Sequence, residues 1–243
     1  MNKVKVVKAD TKKTMNDFVA LPRYIYKDCS QYVPDLDMDV RATFDPKKNA
    51  GLEFSDIQPF VAYDEGGKCV GRITAIINHR ANEKWNVRVA RFGMIEFIDD
   101  ADVSRALLTA VEEWSKARGM SRIQGPMGIS DFDKEGMLVD DFDLMGSMVS
   151  IYNPPYYACH MEQMGFEKEV DWVSFHIDVP KTVPEKFARV TSLVQKRFGL
   201  TIKKMTKNDI LTGGYGKKIF ELLNMAYAPL FGFSELSDRQ IED

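Results

Sequence analysis

Glu96 is the residue in this sequence whose type and setting best suit proton transfer. It lies in RFGMIEFI, where alternation along a strand places it with Phe92, Met94 and Ile98. A buried carboxylate in such apolar company has a raised pKa, as a general base near neutral pH requires. The alternative is a structural pair with an arginine such as Arg72 or Arg91. Tyr156 and Tyr157 follow Asn153-Pro154-Pro155, a pair of rings of the kind that usually serves packing. Between residues 125 and 143 six carboxylates (Asp131, Asp133, Glu135, Asp140, Asp141, Asp143) face Lys134 alone. Asp131, Asp133, Glu135 and Gly136 have calcium-loop spacing, but Phe142 stands where a bidentate glutamate belongs, so no calcium site is read. The loop is either simply solvated or an attractor for a cation.

The histidines add little. His160 and His176 lack metal-ligand spacing, and no metal is expected. His79 falls with Asn78, Arg80, Asn82 and Trp85 in a polar cluster suited to a ligand or partner. No Ser-His-Asp signature, phosphate-binding glycine loop or basic stripe with interleaved aromatics is present, so nucleic acid is not an expected partner.

The elements that must position these groups alternate. A strand is predicted at 3–8, a helix at 12–28 capped by Asp10 or Thr11 and distorted or divided by Pro22, and a short helix at 35–44. Strands at 59–64 and 69–78 flank the hairpin connection Glu65-Gly66-Gly67-Lys68, and a third follows at 88–98. Residues 101–118 form the clearest helix, with Val103, Leu107, Ala110, Val111 and Trp114 on one face and Gly119 as its stop. A strand at 121–126, a helix opened by Asn153 and closed near Gly165, and a strand at 168–178 complete the set. The fold class is α/β, a mixed sheet with helices on both faces. After Pro180 a connecting helix at 184–198, TIKKM, a helix at 215–227 and SELSDRQIED repeat the order of residues 3–44. The division expected is therefore 1–180 for one domain and 181–243 for an extension or the start of a second unit, with the chain ending at a helix start as if the natural protein were longer.

The 243 residues carry a net charge of −3 and are 44% hydrophobic, a globular composition with no pull toward nucleic acid or an anionic membrane. No apolar run is long enough to span a bilayer. Three widely spaced cysteines (Cys29, Cys69, Cys159) and the absence of a leader pattern suggest reduced thiols and a cytoplasmic location.

The segments GRITAIINHRANEKWN, SRALLTAVEEWSKARG and NPPYYACHMEQMGFEKEVDW, in this order of elements, resemble the GNAT superfamily of acyl-coenzyme A dependent N-acyltransferases over residues 3 to about 178. The resemblance implies acetyl-CoA as co-substrate and a small amine as acceptor. It places pantetheine along the edge near Phe97 and Ile98, the pyrophosphate at the helix start of Val103, Ser104 and Arg105, and a cofactor contact at Asn153, which is otherwise a helix cap. Glu96 would be the base. Tyr157 would protonate the departing thiolate in place of the usual tyrosine, whose position is Met161. The sequence departs from the family at the pyrophosphate motif, where Asp99, Asp102 and Ser104 occupy the basic and two glycine positions. Carboxylates there repel a diphosphate or merely complement the helix dipole. The alternative to an active transferase is a silent GNAT-like module that binds a ligand or partner.

Overall fold

The computed structural model describes residues 4–147 and 149–242. Residues up to Glu167, together with those from Leu223 onward, form one compact unit, and Lys168–Leu222 form another.

The first unit is built on a five-stranded sheet in the order β1 (Lys5–Lys8), β2 (Ser55–Tyr63), β3 (Cys69–Asn78), β4 (Val89–Phe97), β5 (Arg122–Gln124). The first four strands are antiparallel neighbours, while β4 and β5 run parallel. Lys3, included in the predicted first strand, lies outside the described residues. Helix α1 (Lys12–Ile25) starts at a capping box between Thr11 and Thr14 and runs through Pro22 without dividing. A short α2 (Asp37–Ala42) follows, and both lie on one side of the sheet, where Phe18, Val19 and Val40 pack on Val61. After α3 (His79–Trp85), helix α4 (Ala101–Lys116) covers the other side, burying Val103, Leu107, Leu108 and Val111 against Ile73, Ala75, Ile77, Phe92 and Phe97. That apolar stripe is the one its 3.6-residue period predicts. Helix α5 (Tyr156–Gln163) closes at Gly165, whose φ of +83° suits a residue without Cβ.

Two features of β4 set the geometry around Glu96. Opposite β3 the register shifts between Arg72/Thr74, so β4 carries a bulge, and Met94 within it has a φ of +47°. A bulge inserts one residue and reverses the parity of those beyond it. Phe92 and Phe97 therefore both face α4, while Met94 packs on the α1 side. Glu96 thus does not share a face with Phe92, as plain alternation predicts. The second feature is a splay. β5 pairs with β4 only as far as Arg91↔Gln124, after which the chain turns through Gly125-Pro126 and touches β4 once more, Met127 N–H to Phe92 O at 2.8 Å. Gly93 permits this approach, since a Cβ there would lie 2.4 Å from the Met127 carbonyl oxygen.

Residues 232–239 dock on the same unit. Phe233 is fully buried, Trp85 Nε1 donates to its carbonyl (3.2 Å), Asn78 Nδ2 donates to Ser234 Oγ (3.2 Å), and Arg239 pairs with Glu53 at 2.6 Å. Two members of the polar cluster around His79 thus hold a segment of the chain itself.

The second unit contains α6 (Glu185–Phe198), ended by Gly199 in the left-handed conformation, α7 (Lys207–Leu211) with a Thr206–Asp209 capping box, and the start of α8 (Tyr215–Tyr227); α9 (Asp238–Glu242) belongs to the first unit. Phe187, Val190, Leu193 and Phe198 of α6 are exposed. Residues 168–178 and 201–205 form no strand, contrary to the sequence expectation. Their alternation favours an extended chain, but a strand exists only through a paired ladder, and none forms there among the described residues.

Candidate active site

The bulge turns Glu96 toward a buried polar cluster between β3, β4 and the end of α1. Tyr26 and Tyr157 both donate to Glu96 Oε2, at 2.6 and 2.7 Å. Arg72, directly opposite on β3, brings its guanidinium to 3.8 Å from Oε1, donates to the Phe18 carbonyl (3.0 Å) and lies 4.9 Å from the Phe18 ring centre. Of the two arginines considered as partners, Arg72 is therefore the one in place. Burial pushes the Glu96 pKa up, opposed by the Arg72 charge and the two phenolic hydrogen bonds. Burial and the neighbouring carboxylate likewise raise both phenols well above their ordinary value. At neutral pH both tyrosines hold their protons.

Arg91 serves the splay instead. Buried itself, it donates to the carbonyls of Gly128 (3.1 Å), Ile129 (3.1 Å) and Gly232 (2.8 Å), fixing the turn beyond β5 and the docked C-terminal segment. Glu135 lies near it with Oε1 buried and without a hydrogen-bond partner. Burial, then the charges of Asp131 and Asp133, push its pKa up to about 7 against the pull of Arg91.

A cavity of about 600 Å³ opens where β4 and the chain after β5 separate. Its floor is Arg72, Thr74 and Ile76 of β3 with Gly93–Glu96 of β4, and Pro126–Ile129 and Val40 form its sides. Much of its remaining lining comes from Tyr32–Leu36 and from residues 132–134, 136–137, 146–147 and 149–153, with Lys134 Nζ and Asp35 Oδ1 joined at 2.7 Å. Ile57, Ile76, Met94, Ile95, Met127 and Ile151 make the lining largely apolar, and Glu96 and Tyr157 also line it. That is the composition of a pocket for a largely apolar ligand with a few polar contacts.

The other residues singled out from sequence fall elsewhere. Phe97 N–H donates to Tyr157 Oη (3.0 Å), and Phe97 O accepts from Tyr156 Oη (2.6 Å). Ile98 N–H pairs with Val70 O. Val103 and Ser104 are each 1% exposed and belong to the core, whereas Arg105 is exposed. Asn153 is buried and exchanges hydrogen bonds with the Leu138 backbone, N–H to Oδ1 at 2.8 Å and Nδ2 to O at 3.2 Å, so it braces the cavity loop; the residue at the N-cap of α5 is Pro155. Sequence reasoning missed Tyr26, which sits 70 residues before Glu96 just past α1. The aromatic pair Tyr24/Tyr26 closing an amphipathic helix was its only local trace.

At the diphosphate position the backbone amides are already engaged. Asp100 Oδ1 accepts from Asp102 N–H (2.8 Å), and Asp100 O accepts from Val103 and Ser104 N–H (3.1 and 3.2 Å). His160 fills the space beside them, bonded to Ser104 Oγ (2.8 Å) and Asp99 Oδ1 (3.0 Å). With these amides taken and three carboxylates around them, the residues present do not fit a diphosphate.

A mixed sheet in which the fourth and fifth strands run parallel, then splay, with a helix following the fourth, is the GNAT acyltransferase arrangement; the fold is GNAT-like, with additional C-terminal residues. The chain is 34% identical to protein YghO of Escherichia coli (strain K12) over 164 residues, 68% of this chain and 42% of that protein. It is 26% identical to a bacterial ceramide synthase of Caulobacter vibrioides over 245 residues, covering 97% of this chain and 60% of the relative. The chain thus spans about half the length of these curated relatives. Among solved structures it is similar to the aminoglycoside 6'-N-acetyltransferase AAC(6')-Ih of Acinetobacter baumannii (12% identity, TM-score 0.43, 73% of this chain and 100% of that one). A second is an acetyl transferase from Pyrococcus furiosus (16%, TM-score 0.40, 72% and 100%). No family model matches. Among the described residues no helix is long and apolar enough to cross a membrane.

Proposed function

We propose that the chain takes part in N-acyl transfer, joining an acyl group to an amine that carries an aliphatic chain. The observation that carries this reading is the largely apolar cavity that Glu96 and Tyr157 help to line. An ammonium group anchored beside Glu96 loses its proton to that carboxylate, whose pKa burial raises above the ordinary range. The freed amine forms the C–N bond at the acyl carbon as the C–S bond of a thioester breaks. Tyr157 delivers its phenolic proton to the departing sulfur and is restored by the second proton that the nitrogen sheds as the amide forms. Phe97 N–H, donating to the same phenolic oxygen, eases the charge that this leaves behind. Arg72 limits the cost of the negative charge on Glu96. Aliphatic burial in the cavity, about 0.8 kcal/mol per methylene, favours a long chain over the acetyl group and small amine that the family resemblance implies. The relative named as a ceramide synthase supports the same class, since a ceramide is an N-acylated long-chain amine.

The test is amide formation from dodecanoyl thioester and a long-chain amine, followed by mass spectrometry. Glu96→Gln should lower the rate by about 10²–10⁴-fold with binding retained. The wild-type rate should rise with pH through a limb above the usual carboxylate range. A variant as fast as wild type removes Glu96 from the mechanism. The second reading, a silent ligand-binding module, is favoured by the engaged amides at the start of α4. It predicts ligand binding without any amide product.

A further inference from the structure

The same engaged groups bear on how an acyl donor is recognised. Three successive amides at the start of α4 already have acceptors within the turn, and Asp99, Asp100 and Asp102 surround them. Asp99 is 67% exposed in its side chain, so a polyanion approaching from solvent meets its charge directly. One strand residue earlier, both backbone groups of Phe97 are taken by the hydroxyls of Tyr156 and Tyr157, which denies that residue to a pantetheine arm. His160, 7% exposed and tilted against the Phe97 ring with centroids 5.2 Å apart, ties α5 to the α4 turn through Asp99 and Ser104. Tyr156, Tyr157 and His160 all project from α5, and with the contacts inside the α4 turn they seal the edge from Phe97 to Ser104 with the protein's own side chains.

We propose that this unit recognises its acyl donor by the acyl chain and thioester alone, with no grip on a nucleotide diphosphate. The inference rests on the N-acyl transfer reading. It places the selectivity of the unit in the length and apolarity of the acyl chain. A thioester carried on a short pantetheine arm serves as well as one carried on coenzyme A.

Calorimetric titration of the full chain with dodecanoyl-coenzyme A, dodecanoyl-pantetheine and unacylated coenzyme A tests this. The two thioesters should bind within about threefold of each other, and coenzyme A at least about 100-fold more weakly. Raising salt from about 50 to 500 mM should leave the dodecanoyl-coenzyme A affinity within about threefold, because exposed charge pairing is what salt screens. Tight binding of coenzyme A alone, a loss above about 30-fold on removing the nucleotide, or a steep fall with salt overturns the proposal. The amide assay separates the two ideas. Equal thioester binding without amide product rejects the transfer reading and keeps the binding mode. Amide formed only from the coenzyme A thioester keeps the transfer reading and rejects the binding mode.

Discussion

β4 presents two contrasting regions within a few residues of each other. On the α1 side the bulge at Met94 turns Glu96 toward Arg72, Tyr26 and Tyr157 and leaves a largely apolar cavity of about 600 Å³ beside them. Along the outer edge and the α4 turn, the backbone groups of Phe97, Asp102, Val103 and Ser104 are satisfied by neighbouring side chains or carbonyls. The first region holds a buried carboxylate whose pKa burial raises, beside an open cavity. The second has its hydrogen bonds completed and is a clasp. The difference shows that one stretch of a strand can border an open cavity while the next has its backbone groups closed off by the protein's own side chains.

The contrast depends on the splay being held by Arg91 rather than by a ligand. Arg91→Met removes the donor for three carbonyls and the positive charge facing Glu135, Asp133 and Asp131. Stability should fall by about 3 kcal/mol, measured by urea denaturation, with cavity binding lost together with it. A variant as stable as wild type means that the turn beyond β5 is held by packing alone.

A smaller effect sharpens the description of the cavity's flank. The Glu135 pKa is raised to about 7 in the folded protein from an ordinary value near 4.5. Between those pH values the folded state binds more protons than the unfolded state, so this group's contribution lowers stability as pH rises through the window. Glu135→Gln should therefore be more stable than wild type at pH 8 by on the order of 1 kcal/mol, after discounting for partial solvent access, with the gain vanishing near pH 4. A gain that is equal at both pH values assigns the effect to packing instead.

Much of the frame was legible in sequence because period and turn chemistry agree there. The strand predicted at 69–78 is β3 residue for residue, and α4 starts where predicted, with its apolar face on the sheet. The bulge was not legible, because RVARFGMIEFI reads as smooth alternation and nothing local signals an inserted residue at Met94. That single insertion decides which face Glu96 uses. The union of Glu96 with Tyr26 escaped for another reason, since tertiary packing, and no periodicity, brings residues 70 apart together. In the same way, Phe233 and Ser234 read as part of an extension, and their docking on Trp85 and Asn78 depends on contacts across about 150 residues.

If the cavity is a binding site for an aliphatic chain anchored at Glu96, its affinity must track the length of that chain. A calorimetric series of linear primary amines from hexylamine to dodecylamine tests this most directly. The expected result is a gain of about fourfold in affinity per added methylene, the equivalent of about 0.8 kcal/mol, continuing until the cavity is filled. Affinity that does not change with chain length, or that is absent throughout the series, would contradict it.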